Sequence, residues 1–213
     1  MHIETIVCGP LDVNCYVLWV DDGACILIDP AEAAPVWAYL STYRLNCTHI
    51  LLTHGHFDHI GGVAALAEKT GARILIHRED RNMLISDIES LGVMMNFHTT
   101  PISADRMLED GDVIEALDTK FRVIHTPGHT RGSVCYLEEG TRVLFTGDTI
   151  FRLGAGRADF PGSDEQDLYR SIVNKLFALQ GDYTLYPGHN RTTTMDVERE
   201  RNTFIRHYKE YGW

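Results

Sequence analysis

Short apolar runs separated by turn residues fill the first half of the chain. Alternating or β-branched apolar residues predict strands, because successive side chains of a strand point to opposite faces of the sheet. The predicted strands of this half are about 3–7, 15–20, 25–29, 48–53 and 73–77. The turn Asp21-Asp22-Gly23 joins the second and third of these strands as a hairpin.

Helices are predicted between these strands. One follows the third strand, with Pro35 near its first turn. Its apolar face consists of Trp37, Leu40 and Tyr43. A second helix, about 59–70, is expected to end at Gly71. Segment 79–100 has no clear periodicity, and we expect a short helix that leads into irregular chain.

The second half repeats this outline. Its predicted strands are 121–126, 133–138, 142–147 and 183–187. Helices are predicted at 164–179 and at about 194–210. The stretch SVCYLEEGTRVLFTGD echoes NCYVLWVDDGACILID, since each is a strand, an acidic-Gly turn and a strand that ends in Asp. Two related halves of this kind predict two facing sheets with helices outside, a layering that buries every apolar face. No low-complexity linker divides the chain, so we predict one α/β domain, 1–213.

Composition excludes several classes of protein. With 44% hydrophobic and 23% charged residues among 213, the chain can bury a core. A formal net charge of −11 argues against a nucleic-acid-binding face. The N-terminus lacks the features of a signal peptide, and no apolar run approaches the roughly 18 residues that span a membrane. We therefore expect a cytoplasmic protein with no nucleic-acid or membrane partner, either a monomer or a weak homo-oligomer.

The cysteines and the histidines lead to different predictions. The five cysteines are odd in number, scattered and without a C-x-x-C pair, which favours reduced, buried thiols over disulfides or a Cys-ligated zinc. The cysteines are Cys8, Cys15, Cys25, Cys47 and Cys135. Histidine is enriched, with 11 in 213 residues. The histidines therefore need an explanation of their own.

The segment LLTHGHFDHIGG places four potential metal ligands directly after an apolar strand. His54 and His56 are two residues apart, so in extended backbone both imidazoles point the same way. Asp58 and His59 fall where the chain turns into the next helix and can face a neighbouring point. Four ligands within six residues exceed what a lone open metal site takes from one loop. We interpret the segment as part of a metal centre and not as a solvated polar turn.

Three further motifs end predicted strands. TPGHT presents His129, TGD presents Asp148 and YPGH presents His189. Glycine lets the backbone turn sharply at such positions, and strand ends are where sites are usually built on a sheet. The other six histidines belong to no motif and are expected to be surface or core residues. These are His2, His49, His77, His98, His125 and His207.

This set of residues resembles the metallo-β-lactamase superfamily, from Asp29 to the last helix. The resemblance implies a four-layer αββα fold with two facing mixed sheets. It implies that one metal is bound by His54, His56 and His129. It implies that a second metal is bound by Asp58, His59 and His189. Asp148 would bridge the two metals, and Asp29-Pro30 would support the site. Nitrogen and carboxylate ligands suit Zn, Fe or Mn. We expect two divalent metal ions and expect them to be zinc, with iron or manganese as the alternatives.

Two stretches refine the resemblance. GDTIFRLGAGRADFPGSD and PGHNRTTTMDVERERNTF are similar to single-domain glyoxalase-II-like (hydroxyacylglutathione hydrolase-like) proteins and, less closely, to persulfide dioxygenases. We expect no counterpart of the C-terminal helical domain of larger glyoxalase II enzymes, since 24 residues follow His189. Recognition of glutathione is therefore left open.

The expected function is hydrolysis of small acyl thioesters by a hydroxide shared between two metal ions, with Asp58 orienting that hydroxide. The alternative is a mononuclear iron persulfide dioxygenase. A non-catalytic metal-binding protein is the alternative of a different class, which the absence of Cys ligands disfavours. Arg157 has two interpretations, a salt bridge with Asp159 that closes its loop or a substrate-binding cation at the site mouth.

Overall fold

The computed structural model describes residues 1–211, so 212 and 213 of the predicted domain lie outside the described residues. The strands are β1 (His2–Cys8), β2 (Val13–Trp19), β3 (Ala24–Ile28), β4 (Asn46–Leu51), β5 (Arg73–His77), β6 (Arg106–Leu108), β7 (Val113–Ala116), β8 (Thr119–His125), β9 (Val134–Glu138), β10 (Val143–Gly147), β11 (Ile150–Phe151), β12 (Gly154–Ala155), β13 (Thr184–Pro187) and β14 (Thr193–Thr194). The α-helices are α1 (Ala33–Tyr43), α2 (Phe57–Ile60), α3 (Val63–Thr70), α4 (Glu165–Arg170), α5 (Met195–Arg201) and α6 (Thr203–Tyr211).

Two six-stranded mixed sheets form the centre of the fold. The first has the order β1-β2-β3-β4-β5-β6, antiparallel up to β3 and parallel beyond it. The second has the order β14-β13-β10-β9-β8-β7, in which only the pair of β10 and β13 is parallel. Strands β11 and β12 form a separate small hairpin. The prediction of two mixed sheets is confirmed.

Three apolar layers stabilise this arrangement. The inner faces of the two sheets pack against each other through fully buried side chains such as Tyr16, Ile26, Phe121 and Phe145. Helices α1 and α3 cover the outer face of the first sheet, and α4, α5 and α6 cover that of the second. The predicted αββα layering is confirmed. All five cysteines are buried and none is in a disulfide, as expected.

The two similar sequence stretches occupy similar places in the two sheets. The first forms the antiparallel hairpin of β2 and β3, and the second forms that of β9 and β10. Both β3 and β10 then pair with a parallel neighbour, β4 and β13 respectively. Each stretch ends in an aspartate, Asp29 or Asp148, which directly follows the carboxyl end of a strand, β3 or β10. Both halves therefore deliver a carboxylate to the same edge of the fold.

The helices differ from the prediction in three places. In place of one helix at 164–179, α4 ends at Arg170 and is followed by a π-helical segment, Ser171–Leu176. The helix expected at 59–70 is split into α2 and α3 at Gly61 and Gly62, because the chain at 30–33 packs against these glycines. A Cβ on Gly62 would lie 2.6 Å from the carbonyl oxygen of Pro30. The helix expected at 194–210 is interrupted at Asn202, whose ψ of 120° leaves the helical region. Gly71 ends α3 in the left-handed conformation, as predicted.

The apolar face expected for α1 is wrong in part. Val36 and Leu40 are its buried residues, whereas Trp37 and Tyr43 are 38% and 59% exposed. Short strands β6 and β7, which complete the two sheets, were not predicted. Segment 79–100, expected to be a short helix that leads into irregular chain, begins with a 3₁₀ helix, Arg78–Leu84, and contains a second one, Gly92–Met95. No helix within 1–211 is both long and apolar enough to cross a membrane.

Candidate metal centre

All seven predicted ligands meet at one edge of the two sheets, because each follows the carboxyl end of a strand. The loop after β4 carries two histidines, and α2 carries an aspartate and a histidine. The loops after β8, β10 and β13 each contribute one residue. The seven are His54, His56, Asp58, His59, His129, Asp148 and His189. Six of them are buried, and the side chain of His189 is 20% exposed.

The first group of three joins both sheets. Ligand atoms of His54, His56 and His129 all lie within 4.8 Å of one another. Nδ1 of His56 is 2.9 Å from Nε2 of His129. Three imidazole nitrogens that converge at this spacing, with no bulky group between them, form a nitrogen-rich site of the kind that zinc and other borderline metals prefer.

The second group lies beside the first and includes a carboxylate. Ligand atoms of Asp58, His59 and His189 also lie within 4.8 Å of one another. Oδ2 of Asp58 is 3.4 Å from Nε2 of His189 and 3.6 Å from Nε2 of His59. The two groups therefore offer different donors, three nitrogens in one and two nitrogens with an oxygen in the other.

Asp148 lies between the two groups. Its Oδ2 is 3.5 Å from Nε2 of His129, which belongs to the first group. The same oxygen is 3.5 Å from Nε2 of His189 in the second group, and Oδ1 is 3.4 Å from Nε2 of His59. One carboxylate thus reaches ligands of both groups, the position that a bridging ligand requires.

Outer hydrogen bonds orient four of the imidazoles. Nδ1 of His129 donates to the carbonyl of Arg157 (2.7 Å), and Nδ1 of His189 donates to that of Leu11 (3.1 Å). Nδ1 of His59 lies 3.0 Å from the carboxylate of Asp29, an acceptor. The remaining contact joins His54 to Thr53 at 3.1 Å. A donor at Nδ1 leaves the lone pair of Nε2 free to bind a metal ion.

Asp29 organises this outer layer. It accepts from the backbone N–H of Thr53 at 2.8 Å and from the Thr53 hydroxyl at 2.6 Å, besides His59. Since the Thr53 hydroxyl donates to Asp29, its oxygen is left to accept from Nδ1 of His54. Asp29 has a φ of 49°, a left-handed conformation that Asp and Asn adopt more readily than most residues. One aspartate therefore orients a histidine of each group, as the sequence predicted for a supporting residue.

Three atoms of the centre lack any hydrogen-bond partner within the described chain. They are Nε2 of His54, Nε2 of His59 and Oδ1 of Asp148, all completely buried. Buried polar atoms are nearly always paired, because an unpaired one loses its hydration without compensation. Each of the three atoms can bind a cation, the oxygen as a carboxylate and the two nitrogens in their unprotonated form. The residues present thus fit bound metal ions.

The pKa values indicate which side chains of the centre carry a proton when no metal is bound. Burial, followed by neighbouring imidazoles, lowers the pKa of His54 and His56, which are therefore neutral. Burial opposes protonation of His59 too, but the carboxylates of Asp58 and Asp148 outweigh it and raise its pKa to about 10. In the protein without metal, a proton on His59 thus balances these carboxylates. A bound cation would replace that proton, which couples metal binding to proton release.

Two glycines let the backbone approach the ligands. A Cβ on Gly188 would lie 2.3 Å from Oδ1 of Asp148 and 2.7 Å from Cε1 of His59. A Cβ on Gly156 would lie 2.0 Å from the carbonyl oxygen of Asp148. Both contacts are closer than side chains allow, so these positions require glycine. They explain Gly188 of the YPGH stretch and Gly156 of the GAGR stretch.

A cavity of about 280 Å³ opens over the ligands. Its walls are mostly apolar, formed by Leu11, Phe57, Leu91, Phe151 and Phe160 together with Ala155. The ligands His56, Asp58, His129, Asp148 and His189 also line it. A small substrate in this cavity would therefore contact metal ligands on one side and apolar side chains on the other.

Arg157 also lines the cavity, but its charge is engaged. Its guanidinium makes two hydrogen bonds to Asp159, at 2.8 and 2.7 Å. The same group lies 4.2 Å from the centre of the Phe160 ring. The structure thus contains the salt bridge of the first interpretation, and a substrate anion would have to compete with Asp159 for this arginine.

Sequence reasoning missed Asp80. This aspartate is fully buried and connects two ligand loops: it accepts from the backbone N–H of Gly55 (3.2 Å), the hydroxyl of Thr130 (2.6 Å) and the N–H of Gly132 (2.7 Å). Burial raises its pKa to about 6. It lies in the segment without periodicity, so no pattern marked it. The one available signal was an acidic residue three positions after the end of strand 73–77.

Comparison with known proteins identifies the family. The sequence model of the metallo-beta-lactamase superfamily matches residues 8–189, a span that contains all seven ligands. The chain belongs to the metallo-beta-lactamase superfamily. A relative within it, the hydroxyacylglutathione hydrolase GloC of Haemophilus influenzae, is 33% identical, and the alignment covers 96% of this chain and 98% of GloC. The predicted resemblance is confirmed.

Solved structures agree with this assignment. BLEG-1, a B3 metallo-beta-lactamase, superposes with a TM-score of 0.91 at 34% identity, covering 96% of this chain and 99% of BLEG-1. TTHA1623 in a di-iron-bound form gives a TM-score of 0.84 at 33% identity, covering 94% and 99%. The protein is thus a metallohydrolase of this superfamily with a His/Asp cluster for divalent metal ions.

Proposed function

We propose that this superfamily member hydrolyses small acyl thioesters, 2-hydroxyacyl thioesters among them, with two divalent metal ions. The observation that carries the proposal is the pair of ligand groups joined by Asp148 beneath a small, apolar-walled cavity. The similarity to a hydroxyacylglutathione hydrolase supports the choice of thioesters. Zinc is the proposed metal, and iron or manganese are the alternatives, since the donors are nitrogen and carboxylate.

The residues divide the metal ions between them. One ion would be bound by His54, His56 and His129. The other would be bound by Asp58, His59 and His189. Asp148 would contribute to both. Two divalent ions in such a centre supply a hydroxide nucleophile near neutral pH and polarise the carbonyl under attack.

The side chains of the protein do the remaining work. Asp58 stays a carboxylate, because the imidazoles of His59 and His189 lower its pKa although burial opposes them. A carboxylate at that place accepts a hydrogen bond from the attacking oxygen and so orients it toward the substrate. The apolar side chains of Phe151 and Phe160 exclude bulk water around the acyl group.

A nucleophilic side chain is not needed for this reaction. Cys135, the one cysteine of the second sheet, is fully buried within β9, and burial raises the pKa of its thiol to about 11. A thiol that is both inaccessible and protonated does not attack a substrate. We therefore assign the attack to water activated at the metal centre and not to a covalent intermediate.

The test is a substrate screen of metal-replete protein under anaerobic conditions. We expect hydrolysis of a 2-hydroxyacyl thioester, followed as released thiol, without oxygen or a redox cofactor. A variant with Asp58→Asn serves as the inactive control, and Asp167→Asn, a half-exposed position on α4 outside the metal cavity, as the active one. Oxygen consumption with a persulfide substrate, with no thioester hydrolysis, would contradict the proposal and favour the iron dioxygenase. Bound metal without either activity would favour a metal-binding protein.

A further inference from the structure

A second cleft, of about 480 Å³, adjoins the metal cavity. It lies between segment 78–91 and the loops that carry Arg131, Pro161 and Gly162. Leu91 lines both spaces, and Phe160 of the first is followed along the chain by Pro161 and Gly162 of the second. The two spaces therefore lie side by side with Leu91 between them, and a ligand that passes over Leu91 would reach both.

Two arginines of this cleft carry charge that the protein does not neutralise. The guanidinium of Arg131 makes no ion pair or hydrogen bond with any residue of 1–211. That of Arg81 makes one hydrogen bond, to the backbone carbonyl of Arg78 at 3.3 Å. Arg78 itself pairs with Glu109. Guanidinium groups that form no ion pair with the protein are available to bind the carboxylate of a ligand.

The position of Arg131 connects this charge to the reaction. It follows the ligand His129 by two residues, a distance of at most about 7 Å along the backbone. Within the metal cavity, by contrast, the arginine of the described lining is Arg157, which is bound to Asp159. A negatively charged part of a substrate therefore finds an unpaired cation in the second cleft and not beside the acyl group.

The cleft also presents unpaired carboxylates. Glu79 and Glu89 line it, and neither side chain forms an ion pair within the described chain. Asp80, also in the lining, is already satisfied by its three hydrogen bonds. A polyanion would be repelled by the two glutamates, whereas a group with both a carboxylate and an ammonium ion matches both kinds of charge.

We propose that this cleft is a subsite for the amino-acid-like end of the thiol half of the substrate, with Arg131 and Arg81 binding its carboxylate and Glu79 its ammonium group. The proposal rests on the proposed function, thioester hydrolysis at the metal centre. The acyl group then occupies the apolar cavity, and the thioester carbonyl lies at the metal ligands between the two spaces.

Binding tests the subsite without catalysis. S-methylglutathione, a thioether that cannot be hydrolysed, is titrated calorimetrically into metal-loaded wild type, Arg131→Gln and Arg73→Gln. Arg73 is exposed at the start of β5, the end of that strand remote from the site, so its replacement is a matched control for the change in net charge. We expect Arg131→Gln to weaken binding about tenfold, the loss of one charge-assisted hydrogen bond, with less salt dependence than wild type. Equal affinities of the two variants would overturn the proposal.

Kinetics tests the subsite in the reaction. The compared quantity is the ratio of kcat/KM for lactoylglutathione to that for the lactoyl thioester of N-acetylcysteamine, a neutral thiol. We expect Arg131→Gln to lower this ratio about tenfold and Arg73→Gln to leave it unchanged. Elemental analysis of each variant checks that it contains as much metal as the wild type. An unchanged ratio in Arg131→Gln would contradict the subsite while the hydrolase function stands.

The charge of the ligand is tested with Glu79→Gln. If the subsite binds a zwitterionic end, Glu79→Gln should bind S-methylglutathione more weakly than wild type does. Its kcat/KM for a coenzyme A thioester, which carries phosphates, should be unchanged or higher. Tighter binding of both would show a subsite for polyanions and contradict the ammonium contact. If no thioester is hydrolysed at all, the proposed function fails, and the calorimetric comparison still decides whether the cleft binds the charged thioether.

Discussion

Asp58 reaches both histidines of its group through one oxygen, at 3.4 and 3.6 Å. We expect Asp58→Asn to lower kcat about 10²- to 10⁴-fold, because the amide neither orients the nucleophile nor balances the cations as a carboxylate does. KM should change by less than about threefold, since Asp58 acts on the attacking oxygen and not on the substrate. Steady-state kinetics with metal analysis checks this. A rise in KM alone, at full kcat, would contradict the assigned role.

Asp29 offers a second test at the level of one residue. Asp29→Ala leaves the buried donors of Thr53 and His59 without an acceptor, so we expect the free energy of unfolding to fall by about 2–4 kcal/mol. Asp29→Asn fits the positive φ and keeps one acceptor, but its amide favours the other tautomer of His59. Metal affinity should therefore fall about 10- to 100-fold with a smaller loss of stability.

Chemical denaturation of the metal-free variants and metal titration separate these two effects. If Asp29→Asn matched the wild type in metal affinity, the hydrogen bond to His59 would not select the tautomer. The two replacements thus distinguish a residue that only packs the loop from one that prepares a ligand.

The ligands were accessible to sequence reasoning for a local reason. Five of the seven stand shortly after an apolar strand and beside glycine, so their position relative to the sheet edge follows from the strand, and Asp58 and His59 follow within the same LLTHGHFDHIGG segment. Asp80 has the same degree of burial but no such signal, since its partners Gly55 and Thr130 lie 25 and 50 residues away. Contacts at that separation depend on how the two sheets face each other, which no local pattern contains.

At the level of elements, Asp80 joins the loop after β4 to the loop after β8. Its pKa of about 6 in the folded protein lies above the ordinary value of 3.8, so the folded state binds the proton more strongly than the unfolded state. The resulting stabilisation is complete below about pH 4 and is lost as the pH rises through 6. The variant Asp80→Asn has no titratable group at this position, so its stability lacks this pH dependence.

We therefore expect the stability of metal-free wild type, relative to Asp80→Asn, to fall by up to about 3 kcal/mol between pH 4 and pH 7. Urea unfolding at several pH values measures the difference, and taking the difference cancels the titration of the histidines. The change Asp167→Asn, at a half-exposed position on α4, is the control, and its stability should show the same pH dependence as that of the wild type. A constant difference across this range would show that Asp80 is charged throughout.

Packing between elements also explains the helix boundaries. Gly61 and Gly62 are poor helix formers, and the close approach of Pro30 and its neighbours leaves no room for side chains there. Asn202 leaves the helix because its side chain donates to the carbonyl of Gly154 and to Glu198, and so anchors the β11–β12 hairpin beside the cavity. Amphipathic periodicity predicted that helices exist here. It could not predict where other elements interrupt them.

For the whole molecule, the centre connects the two sheets. His54, His56, Asp58 and His59 follow a strand of the first sheet, whereas His129, Asp148 and His189 follow strands of the second. An ion bound by ligands from both sheets resists their separation, so it binds the folded state and not the unfolded chain. Each site filled at 100 times its Kd adds about 2.7 kcal/mol to the free energy of unfolding. Two such sites add about 5 kcal/mol.

Removal of metal should therefore lower Tm by about 10–20 °C, at the roughly 2–4 °C per kcal/mol typical of chains of this size. Differential scanning calorimetry of chelator-treated protein measures the fall, and zinc added in steps should restore Tm with a break at two equivalents per chain. His189→Ala removes one ligand of the second group only, so its recovery should break near one equivalent at a lower Tm. A single equivalent that restores the wild type completely would contradict the two-metal centre, because the second group would then contribute charge without binding an ion. In that case the neutral imidazoles of His54 and His56 with His129 would form the working site alone, as in a mononuclear enzyme.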